Sequence, residues 1–222
     1  MNLRVLFIPC VAVLGGTVFA AQPQAASQAM DEGLVAVQSR NLDELHLRPN
    51  ADLAGYRRVL IDPVRAEIRS DWLKNLNYTR NVTRWIGPDD AQRIATEAAS
   101  SLQSILAEAF KARGYEVTAA PEPGVLRLSP SIADLYVNAP DRLSPWVTKT
   151  FTRDAGQATL LLEARDAVSG TLLGRVVHHG TAHELGRLNA ASDVSNRFWF
   201  DTLFRRWAAD CIAEFEASRN RP

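Results

Sequence analysis

The sequence predicts an α+β fold, a two-layer sandwich in which a mostly antiparallel sheet carries two long amphipathic helices on one face. Three observations lead there. Residues 88–113 and 193–218 each repeat apolar side chains at helical spacing. Five or so shorter runs alternate apolar and polar residues with the period of two of a half-buried strand. Turn-forming groups of Pro, Gly, Asp and Ser separate those runs.

Ahead of these elements, Arg4 precedes an almost wholly apolar run, Val5 to Ala20, that ends in Val18-Phe19-Ala20. That ending is the small-residue pattern a signal peptidase reads. The run is interrupted by Gly15 and Gly16 and falls short of the roughly 20 residues a membrane span needs. Residues 1–20 are therefore expected to be a signal peptide and residues 21–50 an extended, partly disordered lead-in. Residues 51–222 are expected to be a single α+β domain, located in the bacterial periplasm with no transmembrane segment in the mature chain. Cys10 follows Phe7-Ile8-Pro9 rather than a small pair, so an outer-membrane lipoprotein is the lesser expectation. Cys211 is then the one thiol of the mature chain, which excludes an intrachain disulfide. It is expected on a buried helix face.

Lys and Arg number 25, as do Asp and Glu. Such a balance argues against nucleic-acid binding and against a polybasic membrane patch. No glycine-rich phosphate loop is present, which disfavours nucleotide-driven chemistry.

The elements follow in order. Leu42, Leu45 and Leu47 are spaced through a charged stretch expected to lie against the domain without regular structure. Arg57 to Asp62 is a short buried strand, and Pro63 removes a ladder donor and bends the chain. Val64, Ala66 and Ile68 then alternate with charges as a half-buried strand, and residues 70–87 read as a long connection. Asn77-Tyr78-Thr79 and Asn81-Val82-Thr83 match the glycosylation sequon, which behind a bacterial leader is read as accidental. Pro88 suits the first helical position, and Asp89 and Asp90 complement the helix dipole. Ile94, Ala98, Leu102, Ile105, Leu106, Ala109 and Phe110 form the apolar stripe, and Gly114 supplies the stop.

Tyr115 to Thr118 is a short strand, followed by a turn at Pro121–Gly124. Leu126, Leu128 and Ile132 share one parity and Leu135 and Val137 the other, so a bulge or break is expected near Ala133-Asp134. Residues 139–156 read as a loop. Ala158, Leu160, Leu162 and Ala164 point one way, and Asp166–Gly170 turns the chain into Thr171–Glu184, the clearest hairpin. In the last helix Phe200, Phe204, Trp207, Cys211 and Phe215 lie close to one face, with Ser192 or Asp193 as cap.

Candidate chemistry is sparse. His179 and His183 share parity but stand about 13 Å apart along a strand, too far for one metal ion. The histidines at 178, 179 and 183 are therefore expected to face solvent, with no metal and no cofactor. No Gly-x-Ser-x-Gly elbow is present, so no catalytic residue is assigned. Glu163, Arg165 and Asp166 are placed to pair across strands. The candidate binding residues are Trp146, Arg142 and Lys149, an aromatic with a cationic rim in a proline-stiffened loop.

Local phrases carry a resemblance. They include Ser39-Arg40-Asn41-Leu42-Asp43-Glu44-Leu45, Leu47-Arg48-Pro49, Tyr56-Arg57-Arg58-Val59 and Ile61-Asp62-Pro63-Val64. Further along stand Arg113-Gly114-Tyr115, Val125 to Pro130, Leu135 to Pro140 and Leu161 to Asp166. Together they resemble an uncharacterised family of proteobacterial envelope proteins, many with lipoprotein character, known as domain of unknown function three-three-one-three. The family carries no established active site, so the resemblance transfers no functional residue. It implies an exported envelope protein, an accessory or binding domain rather than an enzyme, whose partner is another envelope protein. The rival expectation is a periplasmic hydrolase with an unrecognised site.

Overall fold

A computed structural model of the protein describes residues 33–78, 85–138, 151–152, 154–183, 189–190 and 193–219. In chain order these give β1 (Val35–Val37), β2 (Glu44–Leu47), β3 (Arg58–Ile61), β4 (Arg65–Ile68), α1 (Trp72–Tyr78), α2 (Pro88–Ala112) and β5 (Glu116–Val117). Then follow β6 (Val125–Val137), β7 (Phe151–Thr152), β8 (Asp154–Asp166), β9 (Leu172–His183), β10 (Asn189–Ala190) and α3 (Asp193–Arg219). The main sheet runs β1-β2-β9-β8-β6-β3-β5, with β4 also paired to β6, while β7 and β10 form a separate two-stranded ladder. The fold class is the expected α+β one: the sheet is mixed but mostly antiparallel, with β3 and β4 parallel to β6.

Pro63 divides what would be one strand. β3 pairs with Val125–Leu128 and β4 with the part of β6 from Ser131 onward, so two short strands lie end to end beside one long one. At the break Gln103 of α2 stands in for a missing strand: its amide oxygen accepts from Val64 N–H at 2.9 Å and its amide nitrogen donates to the Ile61 carbonyl at 3.5 Å. The parity switch within β6 is a bulge. The register with β8 shifts between Ala133 and Tyr136, and Asp134 takes φ +52°. The extra residue lets Ile132 and Leu135, of opposite parity, both be buried.

The core fills the space between sheet and helices. Leu102, Leu106 and Phe110 of α2 and Phe204, Trp207 and Ile212 of α3 meet Leu126, Ile132 and Leu160 from the strands. Cys211 is buried on α3 as expected. Among the described residues no helix is long and apolar enough to cross a membrane.

Three expectations are corrected. The stretch from Ser39 to Pro49, expected to lack regular structure, supplies β2, which finds an antiparallel partner in β9, and the lead-in just before it supplies β1, paired to β2. The long connection after β4 contains α1, pinned by a fully buried Trp72. Strand β8 begins at Asp154, inside the stretch expected to be loop.

Candidate binding face

Trp146, Arg142 and Lys149 lie outside the described residues, as does Cys10. Of the three strand histidines, the His183 side chain lies outside what the structure describes, and His178 departs from the expectation. It faces α3 rather than solvent, its ring centroid 6.3 Å from that of Trp207. Its Nδ1 stands 3.2 Å from Asp43 Oδ2 and its Nε2 3.9 Å from Asp210 Oδ2. The physical reason is parity: His178 shares its face with Gly180, which has no side chain and lets Trp207 come close. Burial raises the Asp210 carboxyl, partly offset by the charges of His178 and Arg206, and the neighbouring Glu214 raises it further. Burial also pushes the Cys211 thiol up to about 12, so it is a protonated packing group rather than a nucleophile.

His179 points the other way, with Nδ1 3.2 Å from the Thr159 hydroxyl oxygen. Among the described residues no carboxylate holds its other ring nitrogen, so the pair lacks the orienting third group that nucleophilic catalysis uses. Among the same residues no group of three or more His, Cys, Asp or Glu is placed to hold a metal ion.

The face of the sheet away from α2 and α3 is built from the opposite parity. Cross-strand register aligns Ser129, Glu163, Arg175 and His46 in one row across β6, β8, β9 and β2. A second row aligns Arg65, Ser131, Leu161, Val177 and Glu44. Beside the Pro63 break these rows line a cleft of about 320 Å³, walled by Asp62 and Arg65 at one end and Arg175 and Val177 at the other. That volume is at the lower end of the range small-molecule sites occupy.

Salt links hold the polar wall rigid. Arg175 Nη2 donates to Glu163 Oε1 at 2.7 Å from β9, and Arg165 Nη2 to Glu163 Oε2 at 2.8 Å along β8 itself. Burial pushes the Glu163 carboxyl up, but the hydrogen bonds from Arg175 and Arg165 outweigh it and hold the group below the usual carboxylate range. Asp62, carried on the Pro63 turn, accepts from Arg127 Nε at 2.9 Å and from the Ser129 hydroxyl at 2.6 Å. At the hairpin tip, Asp166 accepts the backbone N–H groups of Ser169 and Val168 and the Tyr56 hydroxyl. Burial, then that hydrogen bond to Asp166, raises the Tyr56 phenol to about 12.

The sequence placed Glu163 and Arg165 together but missed Asp62, Arg65, Ser129 and Arg175. One signal was available. Leu161 is an apolar residue on the polar parity of β8, and it is 36% exposed on the open face. Asn77 resolves its sequon differently: its amide accepts from Ile86 N–H and donates to Ile86 C=O, both at 2.9 Å, which ties the end of α1 to the residue just ahead of α2.

A family model described as "Protein of unknown function (DUF3313)" matches residues 24–211. Comparison with curated proteins gives no match. Among solved structures, the chain is similar to the PelC dodecamer from Paraburkholderia phytofirmans at 15% identity and TM-score 0.38, covering 75% of this chain and 94% of that one. It is similar to protein XCC0632 from Xanthomonas campestris, of family-model DUF330, at 9% identity and TM-score 0.40, covering 71% and 82%. A DUF4136 family protein (BT2437) from Bacteroides thetaiotaomicron shows 10% identity and TM-score 0.37, covering 83% and 98%. Likenesses of this order carry no argument about activity.

Proposed function

The chain belongs to the family described as protein of unknown function (DUF3313), and from that premise we propose an exported cell-envelope protein whose sheet face away from α2 and α3 binds rather than transforms its partner. The observation that carries the reading is the cleft beside Pro63, lined by fixed ion pairs and by half-exposed Leu161 and Val177. A rigid polar wall around a small apolar floor orients a bound group; it supplies no activated nucleophile. Support for export comes from the sequence: Arg4, the apolar run after it, and Val18-Phe19-Ala20. The site of action is then the periplasm, and the partner another envelope protein.

Two measurements test this. Expressed as the full chain in a Gram-negative host and recovered from the periplasm, the protein is expected to have an intact mass that begins at Ala21. A mass carrying lipid on Cys10 overturns the soluble periplasmic assignment. Envelope extracts are then passed over immobilised mature protein and over its Leu161→Arg variant. Loss of a captured envelope protein by the variant, at unchanged melting temperature, supports the face; equal capture by both overturns it.

A further inference from the structure

We propose that the cleft takes a small amphipathic anion, a carboxylate or phosphate group on a short apolar body, with Arg65 as its charged anchor. The proposal rests on the reading of the open face as a binding surface. Two guanidinium groups line the cleft, those of Arg65 and Arg175, with the carboxylates of Asp62 and Glu163; Arg127 and Arg165 lie outside the lining and pair with those two carboxylates. Arg127 is committed to Asp62, and Arg165 and Arg175 both to Glu163. Arg65 is exposed and has no ion pair among the described residues. A planar guanidinium with free donors matches the paired oxygens of a carboxylate or phosphate, which it can hold through two parallel hydrogen bonds.

The rest of the row gives the ligand its polarity. Ser131 stands opposite Arg65, Leu161 opposite Ser131, and Val177 opposite Leu161. Strands lie about 4.8 Å apart, so the row runs from cation to hydroxyl to apolar surface over roughly 14 Å. A ligand with its anion on Arg65 therefore lays its body over Leu161 and Val177. Two further carboxylates set limits. Glu44 stands opposite Val177 at the far end of the row, which excludes a second anionic group there. Glu67, two residues beyond Arg65 on the same strand, stands about 7 Å away along it and confines the anion to the Ser131 side. Because Arg65 is solvent-exposed, the attraction is screened by salt.

The test uses isotope-labelled mature protein titrated with hexanoate and with hexyl phosphate, followed by amide chemical shifts, with hexylammonium as the control of opposite charge. Saturable shifts at Ser131, Leu161 and Val177 with either anion, weakened by added salt, support the assignment. Hexanoate and hexyl phosphate decide between a carboxylate and a phosphate source. Arg65→Ala is expected to weaken binding about tenfold or more, Arg65→Lys to retain part of it, and Arg113→Ala, which breaks an ion pair with Glu216 on the helix side, to change nothing. Equal binding of hexylammonium, no saturation with either anion, or an Arg65→Ala variant that titrates as the parent does overturns the proposal. If the probes fail while Leu161→Arg still abolishes partner capture, the anion assignment falls alone. If the probes saturate the cleft while Leu161→Arg leaves capture intact, the partner face falls alone.

Discussion

The indole N–H of Trp72 donates to the main-chain carbonyl of Val137 at 2.9 Å, and both residues are buried. This one bond fastens α1, a helix of seven residues, to the last residue of β6. A helix that short has no stability of its own in water, so it persists through what its side chains bury. Trp72→Phe keeps most of the apolar bulk but leaves the Val137 carbonyl without its donor. A loss of about 1–3 kcal/mol is expected from an unsatisfied buried acceptor, read as a lower urea midpoint at unchanged slope. A midpoint equal to that of the parent would remove the bond from the account of α1.

The same helix shows why some elements were legible in the sequence and others were not. Helix α2 and the β8–β9 hairpin carry their signals locally, in periodicity, caps and a turn, and both formed where expected. The bulge in β6 was legible because a parity switch is itself a local pattern. Strand β2 was not, since Leu45 and Leu47 become a strand only by pairing with Val176 and Gly174, more than a hundred residues away. The candidate cleft has the same character. Arg65, Ser131, Leu161 and Val177 come from four strands, and only the cross-strand register brings them into one row. His178 was misjudged because its face depends on where Gly180 lets α3 settle.

Gly180 is accordingly a sensitive position. A Cβ there would stand 2.4 Å from Leu203 Cδ1 and 3.0 Å from Trp207 Nε1. Trp207 is fully buried and cannot swing away without opening the α3–sheet contact. Gly180→Ala is expected to cost about 1–3 kcal/mol through overpacking, and to change the near-ultraviolet signal of the buried tryptophan. Gly55→Ala, where an added Cβ meets nothing within 4 Å, is the control. Equal midpoints for the two variants would show that α3 does not rest on Gly180 as described.

The assigned face of α2 makes a sharper comparison. Leu102 is fully buried, whereas Arg93 is exposed and engaged with Glu97 at 3.1 Å. Leu102→Ala should cost about 2–5 kcal/mol from lost burial and the cavity left behind. Arg93→Ala loses an exposed i,i+4 pair worth about 0.3–0.5 kcal/mol. Urea midpoints that differ by less than experimental scatter would contradict the packing of α2 on the sheet.

The last expectation concerns acid, and it tests the polar wall of the cleft directly. Glu163 is held below the usual carboxylate range because the bonds from Arg175 and Arg165 outweigh its burial. A carboxyl whose folded value lies below its unfolded one binds protons more readily in the unfolded chain. Its contribution is therefore fully present above the ordinary carboxylate value and is lost as pH falls through the lowered one. Asp210 has the opposite sign: burial raises it, so its ionised form disfavours the folded state, and protonation as pH falls relieves that cost. The parent curve carries both effects. Glu163→Gln removes one, so the difference between parent and variant midpoints isolates it. That difference should be largest near neutral pH and shrink as the carboxylates protonate, while Arg165 and Arg175, left without their acceptor, keep the variant the less stable of the two at neutral pH. A difference that stays constant down through the carboxylate range would mean that the Glu163 charge does not hold the wall, and that the cleft is shaped by packing alone.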